Sequence, residues 1–508
     1  MLNFSKIPNN KLIISLAFLL YFPVILLNEY FLDDRYRIIN NYYNWSTDYR
    51  PLADFIYYII GFSFEVIDTF PLNYIFQIII LIFFVSWITE KIIHIYKLEV
   101  ESKNYVTLSI FFVLFNPFFL QNIYFHFDSI IMLISVLLIF ITIEKNIKKE
   151  ILLIIFVLFL YQPSVIGYPV IVCLNLLNLI FLNKNRFEIY GYLASRLFVF
   201  IGAFSFFYII SKIFIETNNY SVNHFTIVSS LNNFYENIFL SFSILNFSNY
   251  YFEYSLIFLF FTFCFIFIFF ALDGNNNILI FDKILIGFGF LIVCILSLLN
   301  INIVLEFPRL YSRTYIGFGF LLFFFVISSI MLFSHFNTNI VILKYFNLFK
   351  VCVVVFLLLL VNISFVNFNY FKYKNKENER IINFIDYDLS TFNNKYFESI
   401  NIGGNLSLSM QEETLTQRYP IVRWNFLDFL NAERHRFFYV EIRNRGYNFN
   451  SDGFYNRNNR IMYNANINKK ASITRKYYDL IYINGNVFIY LKDNGARTMV
   501  DLDKSRLD

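Results

Sequence analysis

Run after run of apolar residues in this chain is long enough to cross a bilayer, and that limits its fold before anything else does. A spanning helix needs about 20 mainly apolar residues. Such stretches lie near 11–28, 71–93, 104–121, 126–143, 150–164, 165–182, 194–215, 252–272, 281–302, 314–333 and 349–368. Hydrocarbon offers the backbone no hydrogen-bond partners, so each run is predicted as a helix. The expectation is a mainly α, polytopic transmembrane bundle of about eleven spans. Pro163 leaves open whether 150–182 is one kinked helix or two short ones. Composition agrees: 15% of residues are charged, against about 25% in soluble domains.

Charge orients the bundle. Lys and Arg concentrate in cytoplasmic loops, and an N-terminus on that side places most of them inside. Lys6 and Lys11 precede the first run without a small-residue cleavage site, which reads as a retained first helix. The outer loops then hold few lysines but several arginines: Arg35, Arg37, Arg50, Arg309 and Arg313. Arginines placed against the topology rule need a reason.

Residues 1–368 are therefore predicted as a transmembrane catalytic domain with a first outer loop at 28–70. Within that loop, "PLADFIYYIIGFSFEVI" is too broken to span and reads as an amphipathic helix on the outer surface. Composition shifts at "NYFKYKNKENER", and 369–508 is expected to form a small extracytoplasmic α/β domain. Its segment 377–395 reads as helix, and "YFESINIGG" and "RFFYVEIRNRG" read as strands. "YDLIYINGNVFIYLK" reads as a hairpin around Asn484-Gly485, the preferred type I′ turn.

The four cysteines, Cys173, Cys264, Cys294 and Cys352, all lie in apolar runs and read as small core residues. The five histidines form no metal-spaced set. A net charge of +5 without a basic block gives no footing for nucleic acid.

Polar chemistry gathers at the outer ends of the spans. "DDRYR" places Asp33 and Asp34 beside Arg35, and "WSTDYRPLAD" brings Asp48, Arg50 and Asp54 soon after. The ordinary reading of such acids is a helix cap with solvated charge. A carboxylate beside a guanidinium, however, stays ionised, which is what a general base requires. Arginine suits phosphate, because its planar fork donates two parallel hydrogen bonds. Arg309 and Arg313, in "LEFPRLYSRTYIGFGF", stand where a lipid phosphate would lie; the ordinary alternative is snorkelling. Asp128, in "NPFFLQNIYFHFDSIIM", is a charge at a membrane boundary. Tyr161, Gln162, Pro163 and Ser164 make a polar break, tolerated where a cavity is lined and otherwise a packing kink.

Taken in order, "DDRYR", "W…YRPLADF", "NPFFLQNIYFHFDSIIM", "YQPSV" and "FPRLYSR" resemble the type II serotype-converting glucosyltransferases of bacterial O-antigen modification, within the GT-C superfamily of polytopic glycosyltransferases. The likeness covers most of residues 28–320. It departs at Tyr49, where glycine is expected before the Arg-Pro pair.

The resemblance implies transfer of a sugar, typically glucose, from a polyprenyl-phosphate carrier to an envelope glycan such as the O-antigen of lipopolysaccharide, with inversion. The implied location is the cytoplasmic membrane of a bacterium, with the site on the periplasmic side. In that reading Asp34 or Asp33 is the base, and Arg309 holds the donor phosphate with Arg313, Arg35 or Arg50. Asp128, Gln162 and Tyr161 line the cavity. No cofactor is assigned, no metal ligand is named, and a divalent metal is left open. A transporter or flippase, or a GT-C polymerase, is the rival expectation.

Overall fold

Proline and asparagine decide where the apolar runs become helix and where they break. The computed structural model describes residues 11–41, 45–63, 65–144, 146–214, 230–245, 280–299, 301–306, 311–335, 340–392, 396–404, 406, 410–419, 421–422, 430, 435–449, 472–483 and 485–492. In chain order the described helices are α1 (Lys11–Leu27), α2 (Leu32–Asn40), α3 (Pro51–Gly61), α4 (Leu72–Tyr96), α5 (Lys103–Leu114), α6 (Pro117–Tyr124), α7 (Ser129–Ile141) and α8 (Ile147–Leu160). They continue with α9 (Gly167–Phe181), α10 (Arg186–Phe214), α11 (Leu231–Leu245), α12 (Ile280–Leu299), α13 (Gly317–His335), α14 (Ile340–Ser390), α15 (Met410–Arg418) and α16 (His435–Asn444). Strands are β1 (Tyr396–Phe397), β2 (Ser399–Gly404), β3 (Asn448–Phe449), β4 (Ile473–Thr474), β5 (Tyr478–Ile483) and β6 (Asn486–Leu491). The chain forms two compact units, one of residues 1–28 and 43–367, the other of residues 29–42 and 368–508.

The first unit is helical. Helix lies in every expected segment except 252–272, which is outside the described residues. Helix length supports fewer crossings than the eleven expected along the chain. Among the described residues, 5 helices are long and apolar enough to cross a membrane, or up to 6 if a bent pair counts as one span. The bent pair is α5 and α6, turned by 64°. Pro117 begins α6, and its ring pushes Asn116 out of the helical region, to φ −53 and ψ 126. Asn116 then caps α6 by accepting the Phe118 N–H. The same chemistry settles 150–182 as two helices. Tyr161 is extended, and Pro163 sits at the start of a short 3₁₀ turn, Gln162–Ile166, ahead of α9.

Helix α13 is the centre of this unit: 94% of its apolar window is buried, against 22% for α10, whose outer face is left for lipid. Two glycines let α13 sit this close. A Cβ on Gly319 would lie 2.8 Å from Val113 Cα of α5, and one on Gly317 would collide with the Ser297 carbonyl oxygen of α12. Aromatic packing fills the remainder; Phe323 meets Phe140 edge-on with centroids 4.9 Å apart. Helix α3 has the expected amphipathic character. Ala53 and Tyr57 are buried, while Phe55, Tyr58, Ile59 and Phe62 are exposed at helical spacing.

The second unit combines the polar half of α14 with a four-stranded sheet of order β2-β6-β5-β4. β5 and β6 pair antiparallel with Ile483 opposite Asn486, the register of the expected two-residue hairpin. Gly485 has φ +80, a conformation that only glycine adopts without strain. Asn484 lies outside the described residues. "YFESINIGG" forms β1 and β2, and β2 runs parallel to β6. "RFFYVEIRNRG" is a correction: it forms α16, not a strand. Its aromatic and β-branched residues favour strand, but Phe438, Tyr439 and Ile442 are buried at 3.6-residue spacing, and burial outweighs propensity. The segment expected as helix from 377 is helical to Ser390, as the continuation of α14.

Candidate catalytic site

In the helical unit the site is built on the loop between Trp45 and Arg50. Asp54, on the first turn of α3, fixes this loop. Its carboxylate accepts the backbone N–H groups of Trp45 and Ser46, each at 2.7 Å, and also the Ser46 hydroxyl. Asp54 thus shapes the turn. The Trp45 ring stacks on Tyr57, with centroids 4.5 Å apart and planes at 8°. Its indole N–H donates to Asp128 Oδ1.

Asp128 stands at the start of α7 yet makes no side-chain cap there. Its carboxylate faces the loop instead. Arg50 Nη1 is 3.9 Å from Asp128 Oδ2, and Arg50 Nη2 is 3.6 Å from Asp48 Oδ2. The Asp128 side chain is 4% exposed and that of Arg50 11%. A carboxylate at this depth keeps its charge only with a cation and hydrogen bonds around it.

The break between α8 and α9 supplies the next two side chains. Gln162 Nε2 donates to the Tyr49 carbonyl at 3.1 Å. Tyr49 is left-handed, at φ 61 and ψ 31, which is the physical reason glycine would suit that position. Tyr161 Oη donates to the Arg313 carbonyl at 3.0 Å. Asn122 Nδ2 reaches the same carbonyl at 3.3 Å, and the Arg313 N–H donates to Gln121 Oε1 at 2.9 Å. The main chain of Arg313 is therefore held on both sides. Its guanidinium lies 4.7 Å from the centroid of Phe125 and 5.4 Å from that of Tyr311.

Five of the expected residues thus share one region of the helical unit: Arg50, Asp128, Tyr161, Gln162 and Arg313. Sequence reasoning missed Trp45, Gln121 and Asn122 as individual residues, although each sits inside a quoted motif. Nothing in their spacing says that an indole meets a carboxylate 83 positions away. Arg309 lies outside the described residues.

Asp33, Asp34 and Arg35 belong to the second unit. Both acids fall in the first turn of α2, where the helix dipole favours negative charge. Asp34 is 1% exposed. Arg35 is engaged by carboxylates: Glu441 at 2.6 Å, Glu29 at 3.6 Å and Glu379 at 3.9 Å. Burial pushes the Glu29 carboxyl up, and Glu379 adds to this while Arg35 opposes it. Arg35 so clamps α2 and α16 within this unit. Among the described residues no group of three or more His, Cys, Asp or Glu is arranged to hold a metal ion.

No family model matches the chain, and no solved structure does. Among curated proteins the chain is 31% identical over 272 residues to an uncharacterized 55.3 kDa protein in the gtrB 5′ region of Salmonella phage P22. The alignment takes in 49% of this chain and 54% of the phage protein, so the chain spans about half the length of the relative it matches.

Proposed function

We propose that the chain is a membrane glycosyltransferase moving a sugar, glucose in the first instance, from a polyprenyl-phosphate donor to O-antigen or another envelope glycan. The observation that carries this reading is a polar site in a unit of apolar helices, with Arg50 facing Asp128 and Trp45, Gln162 bonded to the Tyr49 carbonyl beside Arg50, and the adjacent Tyr161 bonded to the Arg313 main chain. Two guanidinium groups in a low-dielectric setting suit a phosphate that gains charge as it leaves. The phage relative supports the setting by its place beside gtrB.

Arg313, oriented by its main-chain bonds, and Arg50 take the donor phosphate, with Arg309 assisting. Asp128 orients Arg50, because one carboxylate oxygen is taken by Trp45 and the other faces the guanidinium. Asp33 or Asp34 is assigned as the base that draws the proton from the acceptor hydroxyl as its oxygen attacks the anomeric carbon. The carbon–phosphate-oxygen bond breaks on the opposite face, giving inversion. The reaction is assigned to the extracytoplasmic side of the bacterial cytoplasmic membrane.

The test is the envelope polysaccharide with and without the gene, read by mass spectrometry. A difference of one hexose per repeat is expected. A change of chain length instead points to a polymerase, and loss of all surface glycan to a flippase. In membranes with normal protein levels, Asp33→Asn and Asp34→Asn are assayed separately. Full transfer by both ends the base assignment.

A further inference from the structure

The helical unit contains a second polar cluster, away from the loop of Trp45 and Arg50. Glu150 of α8 is 2% exposed, Tyr168 of α9 is 2% exposed and Arg196 of α10 is 4% exposed. Tyr168 Oη donates to Glu150 Oε2 at 2.9 Å. Arg196 Nη1 is 3.3 Å from the same oxygen. The Arg196 guanidinium also lies 4.7 Å from the centroid of Tyr192, and Tyr168 stacks on Phe200 with planes at 3°. Arg196 falls within a helix long and apolar enough to span the membrane. Ionised side chains there are expensive and rarely incidental.

The topology tells what this cluster constrains. Helix α8 carries Glu150 in its first turn and ends at Leu160. Tyr161 and Gln162 follow at once, then the 3₁₀ turn to Ile166, then α9 with Tyr168 as its second residue. The Tyr168–Glu150 bond therefore ties together the helices on either side of that turn, and Arg196 ties both to α10. A second tie fixes the middle of the turn, where the Ser164 and Ser135 hydroxyls meet at 2.7 Å. A buried ion pair adds little net stability over apolar residues of the same volume. What it does supply is a directional constraint, and the segment constrained is the one that presents Tyr161 to Arg313 and Gln162 to Tyr49.

We propose that Glu150, Arg196 and Tyr168 are positioning residues, a brace joining α8, α9 and α10 that sets the reach of Tyr161 and Gln162. Its link to catalysis rests on the proposed function; its effect on the turn does not.

The experiment uses the full chain in lipid nanodiscs, two disrupting variants and one conservative variant. Tyr168→Phe removes only the hydroxyl that reaches Glu150. Glu150→Leu combined with Arg196→Leu removes both charges and leaves neither stranded. Hydrogen exchange of residues 161–166, thermal melting and transfer kinetics with a polyprenyl-phosphate sugar are read on each. Exchange in 161–166 is expected to rise severalfold in both disrupting variants with melting unchanged, and donor KM to rise severalfold, because Tyr161 helps to hold the Arg313 main chain. Arg196→Lys, which retains the pair, is expected to restore slow exchange. Unchanged exchange in both variants overturns the brace, and so does a rise spread over the whole unit with lowered melting. Local exchange changes in a protein that transfers no sugar keep the brace and remove the transferase reading.

Discussion

Arg50 and Asp128 face each other at 3.9 Å across two stretches of chain, with the aspartate's other oxygen committed to the Trp45 indole. An arginine so placed is oriented by its partner rather than by bulk solvent. Asp128→Asn keeps the shape and an acceptor for Trp45 but removes the charge. Breaking one side of a tightly buried pair costs about 3–5 kcal/mol. With this separation and 11% exposure of Arg50, about 2 kcal/mol is expected. Transfer should fall at least about tenfold, since each 1.4 kcal/mol of transition-state stabilisation lost is tenfold in rate. Melting in detergent and initial rates in membranes separate the two effects.

Arg313 is held by its main chain, through Gln121, Asn122 and Tyr161, and not by its side chain alone. Truncating the side chain should therefore leave the local fold in place. Arg313→Ala is expected to melt close to the parent and to raise donor KM about tenfold or more, the loss of a charge-assisted phosphate contact. Arg313→Lys keeps the charge but loses the planar fork and its fit over Phe125, so partial recovery is expected. A donor titration over the three proteins reads this. An unchanged KM in the alanine variant removes the phosphate role.

Tyr49 gives a prediction that compares two variants. Its φ of 61 costs a residue bearing Cβ about 1–2 kcal/mol. Tyr49→Ala and Tyr49→Gly both lose the buried ring, but only glycine relieves the backbone. Tyr49→Gly should therefore be more stable than Tyr49→Ala by about 1 kcal/mol, despite glycine's greater chain entropy. Thermal melting of the pair decides it, and alanine at or above glycine would show that the turn is not strained.

The Tyr49 turn also shows where sequence reading succeeds and where it stops. The left-handed backbone of Tyr49 was not read from the sequence, where the residue appeared only as a departure from an expected glycine. Helix positions were legible because apolar runs in a membrane have one outcome. Where the runs break was less legible: Asn116–Pro117 bends a run that looks continuous, and Pro163 alone did not say whether 150–182 is one helix or two. The segment forming α16 misled because propensity is local, while burial of Phe438 and Ile442 is decided by partners far along the chain. Arg50, Arg313 and Asp128 were legible as polar residues at the ends of apolar runs. Their grouping, and the commitment of Arg35 to Glu441, Glu29 and Glu379, depend on tertiary placement that no spacing encodes.

Gly319 tests the packing of the central helix. A methyl group there would meet the Val113 Cα at 2.8 Å, and backbone cannot rotate away as a side chain can. Gly319→Ala should destabilise the helical unit by about 1–3 kcal/mol, the usual range for overpacking. Gly202 of α10 has nothing within 4 Å of the same probe position, so Gly202→Ala should be neutral or slightly stabilising through helix propensity. Melting of the two variants side by side provides its own control. Equal melting would mean that α13 is not held against α5 as described.

Alkaline pH reaches the second unit through Tyr447. Its hydroxyl donates to Asp386 Oδ1 at 2.8 Å, and Arg445 Nη1 donates to Oδ2 of the same carboxylate at 2.9 Å. Burial, followed by the hydrogen bond to Asp386, raises the phenol from 10.0 to about 12. The folded state thus holds its proton more tightly than the unfolded chain. The stabilisation is complete below the unfolded value near 10 and is lost as pH rises from there through about 12. Tyr447→Phe should lower melting near neutral pH, because Asp386 loses a donor, and should flatten the decline between pH 10 and 12. Melting measured across that interval for the parent and the variant gives the comparison. Parallel curves would mean that the Tyr447 proton is not linked to folding and that another group governs alkaline stability.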